Sequence, residues 1–208
     1  WCGSTAVGTY MLGTVSYAVQ WLLPVLDSVD DGDYVAIPDF GGGLADMAAQ
    51  DVSADGMIMV GYGNTKRGQM AFRADMTDPL LPVVKQLTIT DLVSGQTLRS
   101  SSAQAVSEDA TIIAGYGSTK TANRAFVSTV IDATTDPITL ESAILPMLGG
   151  GKFAEAYAMT PDGAIIAGRS DSPKGPVACI WFMDDTETWV IKELGALSKK
   201  NKDAVATG

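Results

Sequence analysis

Two columns of small residues recur along this chain at one interval. Glycines stand at 8, 61, 115 and 168, in steps of 53, 54 and 53 residues. Alanines stand at 18, 71, 125 and 178, with the same steps. Independent columns that agree in spacing mark internal duplication, and a period of about 50 residues restricts the chain to a propeller, a solenoid or an array of small units. The content of one unit decides among these.

Each unit holds four short strand-like runs and no helical period. In the second they lie near 49–53, 57–62, 69–74 and 83–90. The second run of each unit (MIMVGY, TIIAGY, AIIAGR) is continuously apolar and ends in small residues. Such a run suits a strand covered on both faces. Asp55-Gly56 and Asp162-Gly163 separate the first two runs, which predicts a two-residue type I′ hairpin. Asp109-Ala110 in the third unit and Cys2-Gly3 in the first are weaker turn signals. Four antiparallel strands repeated about an axis make a β-propeller blade. The expected fold is therefore all-β, a propeller-like array of four four-stranded blades in one domain, 1–208. The units run about 1–47, 48–101, 102–155 and 156–203. Residues 204–208 begin a further unit in register with 156–160, so that strand could pair beside the first and close a four-bladed ring. A cut from a longer array is the alternative.

Composition narrows the function. With 46% hydrophobic and 18% charged residues, the chain is a folded protein rather than a disordered one. A net charge of −10 makes nucleic acid and anionic membrane surfaces poor partners, since both are bound through Lys and Arg. No apolar run approaches the roughly 20 residues of a spanning helix. The chain has no histidine, which removes the usual general base, the usual triad partner and the commonest metal ligand. No cofactor, catalytic residue or metal ligand is expected. Asp184, Asp185 and Glu187 could serve a glycosidase only if two of them faced each other across a cleft, and neighbours on a hairpin usually point to water.

The remaining candidates are loops. Residues 27–33 form the densest acidic stretch, but without the ordered ligand spacing of a calcium loop. Gly41-Gly42-Gly43 and Gly149-Gly150-Gly151 lack the following helix that phosphate-cradling glycines need, and serve better as blade connections. One turn recurs in three units with small polar residues and a lysine: Asn64, Lys66 and Arg67, then Ser118 and Lys120, then Ser172 and Lys174. Ring symmetry would set these on one rim, where they are either solvated hairpin tips or a binding surface for sugars or acidic groups. Trp21 and Trp181 share a column with Ala74 and Ser128, a pattern that suits packing between blades better than sugar stacking. Cys179 replaces Phe72 and Phe126 and reads as a small buried hydrophobe. A bridge to Cys2 would need the two Cα atoms within about 7 Å.

The block LPMLGGGKFAEAYAMTPDGAIIAGRSDSPKGPVACIW resembles the HAF family of bacterial extracellular repeats. Its signature is carried here by Leu148-Gly149-Gly150, Thr160-Pro161-Asp162-Gly163, Ile166-Ala167-Gly168 and Ala178-Cys179-Ile180-Trp181. Ser53-Ala54-Asp55-Gly56, Val60-Gly61 and Ala71-Phe72 match it in the second unit, and Ser107, Asp109, Ala114-Gly115 and Ala125-Phe126 in the third. The resemblance implies a propeller-like, secreted or cell-surface bacterial protein, often an autotransporter passenger, with no known activity. The expected role is non-catalytic binding or adhesion, toward a protein or glycan on a host or neighbouring cell. A lectin, a glycan-processing enzyme and a structural stalk are the alternatives.

Overall fold

The structure, a computed structural model, describes residues 5–22, 34–38, 46–66, 68–78, 80–149, 151–173 and 175–195. Among these the chain is all-β, with no helix. Four antiparallel sheets follow one another. The first contains β1 (Thr5–Leu12), β2 (Val15–Leu22) and β3 (Tyr34–Ala36). The second contains β4 (Met47–Val52), β5 (Ile58–Thr65), β6 (Gly68–Asp75) and β7 (Val83–Gln86). The third runs β8 (Ser100–Val106), β9 (Ile112–Ser118), β10 (Asn123–Asp132), β11 (Thr139–Ile144), and the fourth β12 (Ala154–Met159), β13 (Ile165–Ser172), β14 (Gly175–Met183), β15 (Trp189–Glu193). In each sheet the strands lie side by side in chain order. These are the expected blades. The first has three described strands, and the segment proposed to complete it, 204–208, lies outside the described residues.

The blades stack by one rule. The first strand of each packs on the second and third strands of the blade before it: β4 on β1 and β2, β8 on β5 and β6, β12 on β9 and β10. The apolar core is accordingly divided into three clusters, one at each seam. Met47, Met59 and Phe72 pack with Ala18 and Ile37 at the first seam. Val60, Leu87, Ile113 and Phe126 fill the second. Ile166, Cys179 and Trp181 fill the third with Val127 and Leu145. The Phe72, Phe126 and Cys179 column is wholly buried, as expected, and burial pushes the Cys179 thiol up to about 12. Cys2 lies outside the described residues. Trp181 packs between blades, its indole Nε1 donating to Pro146 O at 2.7 Å.

The glycine column has a specific cause. Each first strand carries one extra residue, Gln50, Gln104 or Tyr157, where the pairing register slips. Such a bulge kinks the strand toward its neighbour. A Cβ on Gly61, Gly115 or Gly168 would lie 2.0 Å from the carbonyl oxygen of Ala48, Ser102 or Glu155. Only glycine fits.

The Asp-Gly turn differs from the expected type I′ form, which needs positive φ at both central residues. Here only the glycine is positive, with φ 76° at Gly56 and 70° at Gly163, and its N–H closes the turn on Ser53 O or Thr160 O. Aspartate is the preceding residue, as in a type I turn followed by a left-handed bulge position. The third unit makes the same turn with Ala110 at φ 59°. The missing glycine therefore weakened the sequence signal without changing the structure.

Candidate functional site

The two ends of the blades are chemically different. At the end holding the Asp-Gly turns, three side-chain networks are copies of one another. The hydroxyls of Ser53, Ser107 and Thr160 donate to Asp55, Asp109 and Asp162 at 2.6 Å. The same hydroxyls accept from the N–H groups of Ile58, Ile112 and Ile165, and the carboxylates accept from Met57, Thr111 and Ala164 N–H. These hydrogen bonds hold all three carboxyls below the usual carboxylate range, with the hydroxyl bond the largest cause. Each aspartate closes its turn through one carboxylate oxygen, Oδ1.

At the opposite end lie the hairpin tips that the sequence singled out. Asn64 donates weakly to Asp46 Oδ2 at 3.4 Å. The Ser118 hydroxyl pairs with that of Ser100 at 2.6 Å, and Ser172 donates to Gly175 O at 2.8 Å. These three side chains therefore join strand ends within their own blades. Lys66 and Lys120 are exposed, while Arg67 and Lys174 lie outside the described residues. The acidic stretch 27–33 and the triplet 41–43 lie outside them as well. Asp184 caps the β14–β15 turn by accepting from Thr186 and Thr188 N–H.

Just inside these tips is a constellation that the loop-centred reading passed over. It comes from three columns. Ala48, Ser102 and Glu155 pair across their blades with Tyr62, Tyr116 and Arg169, and the bulge residues Gln50, Gln104 and Tyr157 stand two places further on. Glu155 is 7% exposed and accepts at Oε2 from Arg169 Nε at 2.7 Å and Nη2 at 2.6 Å. The same oxygen accepts from the Tyr157 hydroxyl, and Asn123 reaches Oε1 at 3.4 Å. The Arg169 guanidinium lies over the rings of Phe153 (5.1 Å) and Tyr157 (5.8 Å), a placement that attracts a cation to the ring face. Tyr157 meets Tyr116 edge to face at 5.9 Å. Burial first, and then the Glu155 carboxylate, raise both tyrosine hydroxyls above their ordinary value, so both are neutral donors at physiological pH.

The cluster spans the third and fourth blades and reaches the second through Tyr62, which lies close enough to Tyr116 to perturb its hydroxyl. It offers an edge-to-face pair of rings, amides and one guanidinium fixed by a carboxylate. These are recognition groups on rigid strands, with a bulge in each first strand to aim them. Among the described residues no group of three His, Cys, Asp or Glu side chains is arranged for a metal. The sequence signal was present. The residue after the repeat glycine is tyrosine twice and then arginine, a polar column inside an apolar run.

No family model matches the chain, and no curated protein matches it. A solved structure of TolB from Acinetobacter baumannii is similar in fold, with a TM-score of 0.58 at 13% identity over 91% of this chain. The chain spans 40% of that protein. At such identity the likeness bears on fold alone, and it is to a β-propeller. The class of protein is therefore a β-propeller-like all-β domain.

Proposed function

We propose that this is a non-catalytic binding domain, an adhesin-type or autotransporter-passenger module that a bacterium secretes or displays on its surface. The observation that carries the proposal is the contrast between blade ends. One end repeats a single hydrogen-bonded turn in three blades, while the other changes its side chains in the fourth blade and groups Tyr62, Tyr116, Tyr157 and Arg169 inside the hairpin tips. Residues that vary on a repeated rigid frame are where recognition is placed. The HAF resemblance supports the extracellular setting.

The rings and amides favour a glycan over other ligands, because a sugar stacks its apolar face on an aromatic ring while its hydroxyls engage amides and guanidinium. A glycan array with and without calcium tests this, repeated with Tyr116→Ala. A hit lost in the variant supports the lectin form of the proposal. A blank array removes that form, and capture of a cell-surface protein by the wild type but not the variant supports the protein-binding form. Product release from a bound glycan would overturn the non-catalytic assignment.

We also infer that the ring closes, with the segment 204–208 completing the first blade. Gly8 occupies the glycine column, yet among the described residues its Cβ would meet only the Trp21 ring, at 2.9 Å. A bulged strand beside β1 would give that glycine the reason its three counterparts have.

A further inference from the structure

Arg73 and Lys85 are directly opposed partners across β6 and β7. Like charges so placed repel, and they stand at the Asp-Gly end of the second blade, away from the tyrosine cluster. Lys85 is fixed by the third blade: its Nζ donates to the carbonyls of Ala133, Thr134 and Thr135 at 2.9, 3.1 and 2.9 Å. All three ammonium protons are thereby used, and the positive charge remains. Arg73 is not fixed in this way. Its Nε is buried and has no acceptor among the described residues, an arrangement that leaves a desolvated donor unsatisfied.

Two carboxylates stand nearby, and each is already engaged. Asp75, two residues along β6, attracts Arg73 through space and accepts from Thr77 N–H at 3.0 Å. Asp132 lies near Lys85 and accepts from Thr134 N at 2.8 Å and Oγ1 at 2.6 Å. The groups enclose a recess of about 230 Å³ lined by Arg73, Asp75, Val83, Lys85, Ala133 and Thr134. Two converging cations, one with unclaimed donors, thus line a cavity in a chain of net charge −10.

We propose that this recess is an anion site, which takes a small doubly charged oxyanion between the Arg73 guanidinium and the immobilised Lys85 ammonium. Phosphate and sulfate have the size and charge, whether free or as an ester on a glycan. The guanidinium supplies parallel N–H donors to two oxygens, and Lys85 supplies charge without a further hydrogen bond. Engagement turns the guanidinium so that Nε gains the acceptor it lacks. Asp75 sets the affinity, because its carboxylate competes for Arg73.

The test is the thermal midpoint of the whole chain against millimolar sulfate, with sodium chloride at matched ionic strength as the reference. The wild type is expected to show a rise that saturates, as binding to the native state requires. Arg73→Met should abolish the saturable rise, and Asp75→Asn should move its half-point about threefold lower in sulfate, the size of a lost competing charge near the surface. A rise that never saturates, or that survives in Arg73→Met, overturns the site. If Arg73→Met does not fold, Asp75→Asn decides alone, and an unmoved half-point overturns it. A sulfated disaccharide run in parallel separates the sources: a lower half-point than inorganic sulfate identifies the ester, and an equal one the free ion.

Discussion

At the Asp-Gly end of the blades, three turns built from Ser53, Ser107 and Thr160 with their aspartates agree to within a few tenths of an ångström. At the hairpin end, the corresponding columns read Ala48, Ser102, Glu155 and Tyr62, Tyr116, Arg169, with a different residue in every blade in the first column and a change in the fourth blade in the second. The difference separates what a repeat needs in order to fold from what it is free to vary. The turn end satisfies its backbone within each turn and also from blade to blade, through Ala54 N–H to Glu108 O and Glu108 N–H to Pro161 O. The other end rests on the same strands but makes its contacts between side chains, so its chemistry can change without changing the blade.

The largest expected effect lies where the two regimes meet, at the glycine column. Gly115→Ala sets a methyl 2.0 Å from a backbone carbonyl, which neither strand can clear by a rotamer change. It should cost about 3 kcal/mol or more, read from urea denaturation. Gly8→Ala sharpens the comparison. In a closed ring it should cost as much as its counterparts. In an open one, where only the Trp21 ring must yield, the loss should stay below about 1 kcal/mol.

Next comes Glu155→Ala. It strands Arg169 between two rings and leaves Tyr157 without its acceptor. A fully buried pair so broken loses several kcal/mol, but the Arg169 side chain is 35% exposed, so about 2 kcal/mol is expected after solvent screening. Ligand capture should fall more than stability does. Equal losses in both would show that the cluster only holds the blades together.

The turn aspartates predict an acid response of defined sign. Their folded pKa values are depressed, so the stability they contribute is present above the ordinary carboxylate value and is lost as pH falls through the folded values. Asp51 acts oppositely. Burial raises its pKa although its Oδ2 accepts from Val106 N–H of the next blade at 2.8 Å, so falling pH favours the native state at that one site. The urea midpoint should therefore decline between about pH 4 and pH 2, below the ordinary Asp value. Ser107→Ala should shrink that decline and remove about 1 kcal/mol at neutral pH. The smallest effect should be a gain: Ala110→Gly relieves a left-handed alanine and should add up to about 1 kcal/mol. No gain there would mean that the third turn is strained by something other than its Cβ.

Much of the frame was legible in the sequence. Two columns of small residues gave the period, apolar second runs gave strands covered on both faces in the second and third blades but not in the fourth, where Ile165 is exposed, and the replacement of Phe72 and Phe126 by Cys179 marked a buried column. The turn type was missed because Asp-Gly suits two hairpin geometries, one with positive φ at both residues and one with positive φ at the glycine alone. The bulges were missed because a single extra residue in a first strand leaves the overall period intact. The binding candidates Asn64, Ser118 and Ser172 follow from polarity in a loop, and each also bonds a strand end of its own blade. Tyr62, Tyr116 and Arg169 sit inside runs that score as core, so no loop-based criterion could reach them. The Arg73–Lys85 recess depends on cross-strand register and on a carbonyl cradle from the next blade, neither of which one unit alone encodes.

The seam clusters carry one last consequence. The unit of sequence begins and ends with a blade, whereas the unit of hydrophobic burial runs from the back of one blade to the front of the next. The two periods are out of phase by half a module. A single copy of the repeat therefore owns two incomplete half-cores and no whole one. Melting that starts at one seam removes support from both blades bordering it, so disorder should spread along the row in the manner of a one-dimensional chain of coupled neighbours. Because adjacent residues of one strand, Ala71 and Phe72, serve opposite seams, a cut through the middle of a blade damages both of the cores it borders.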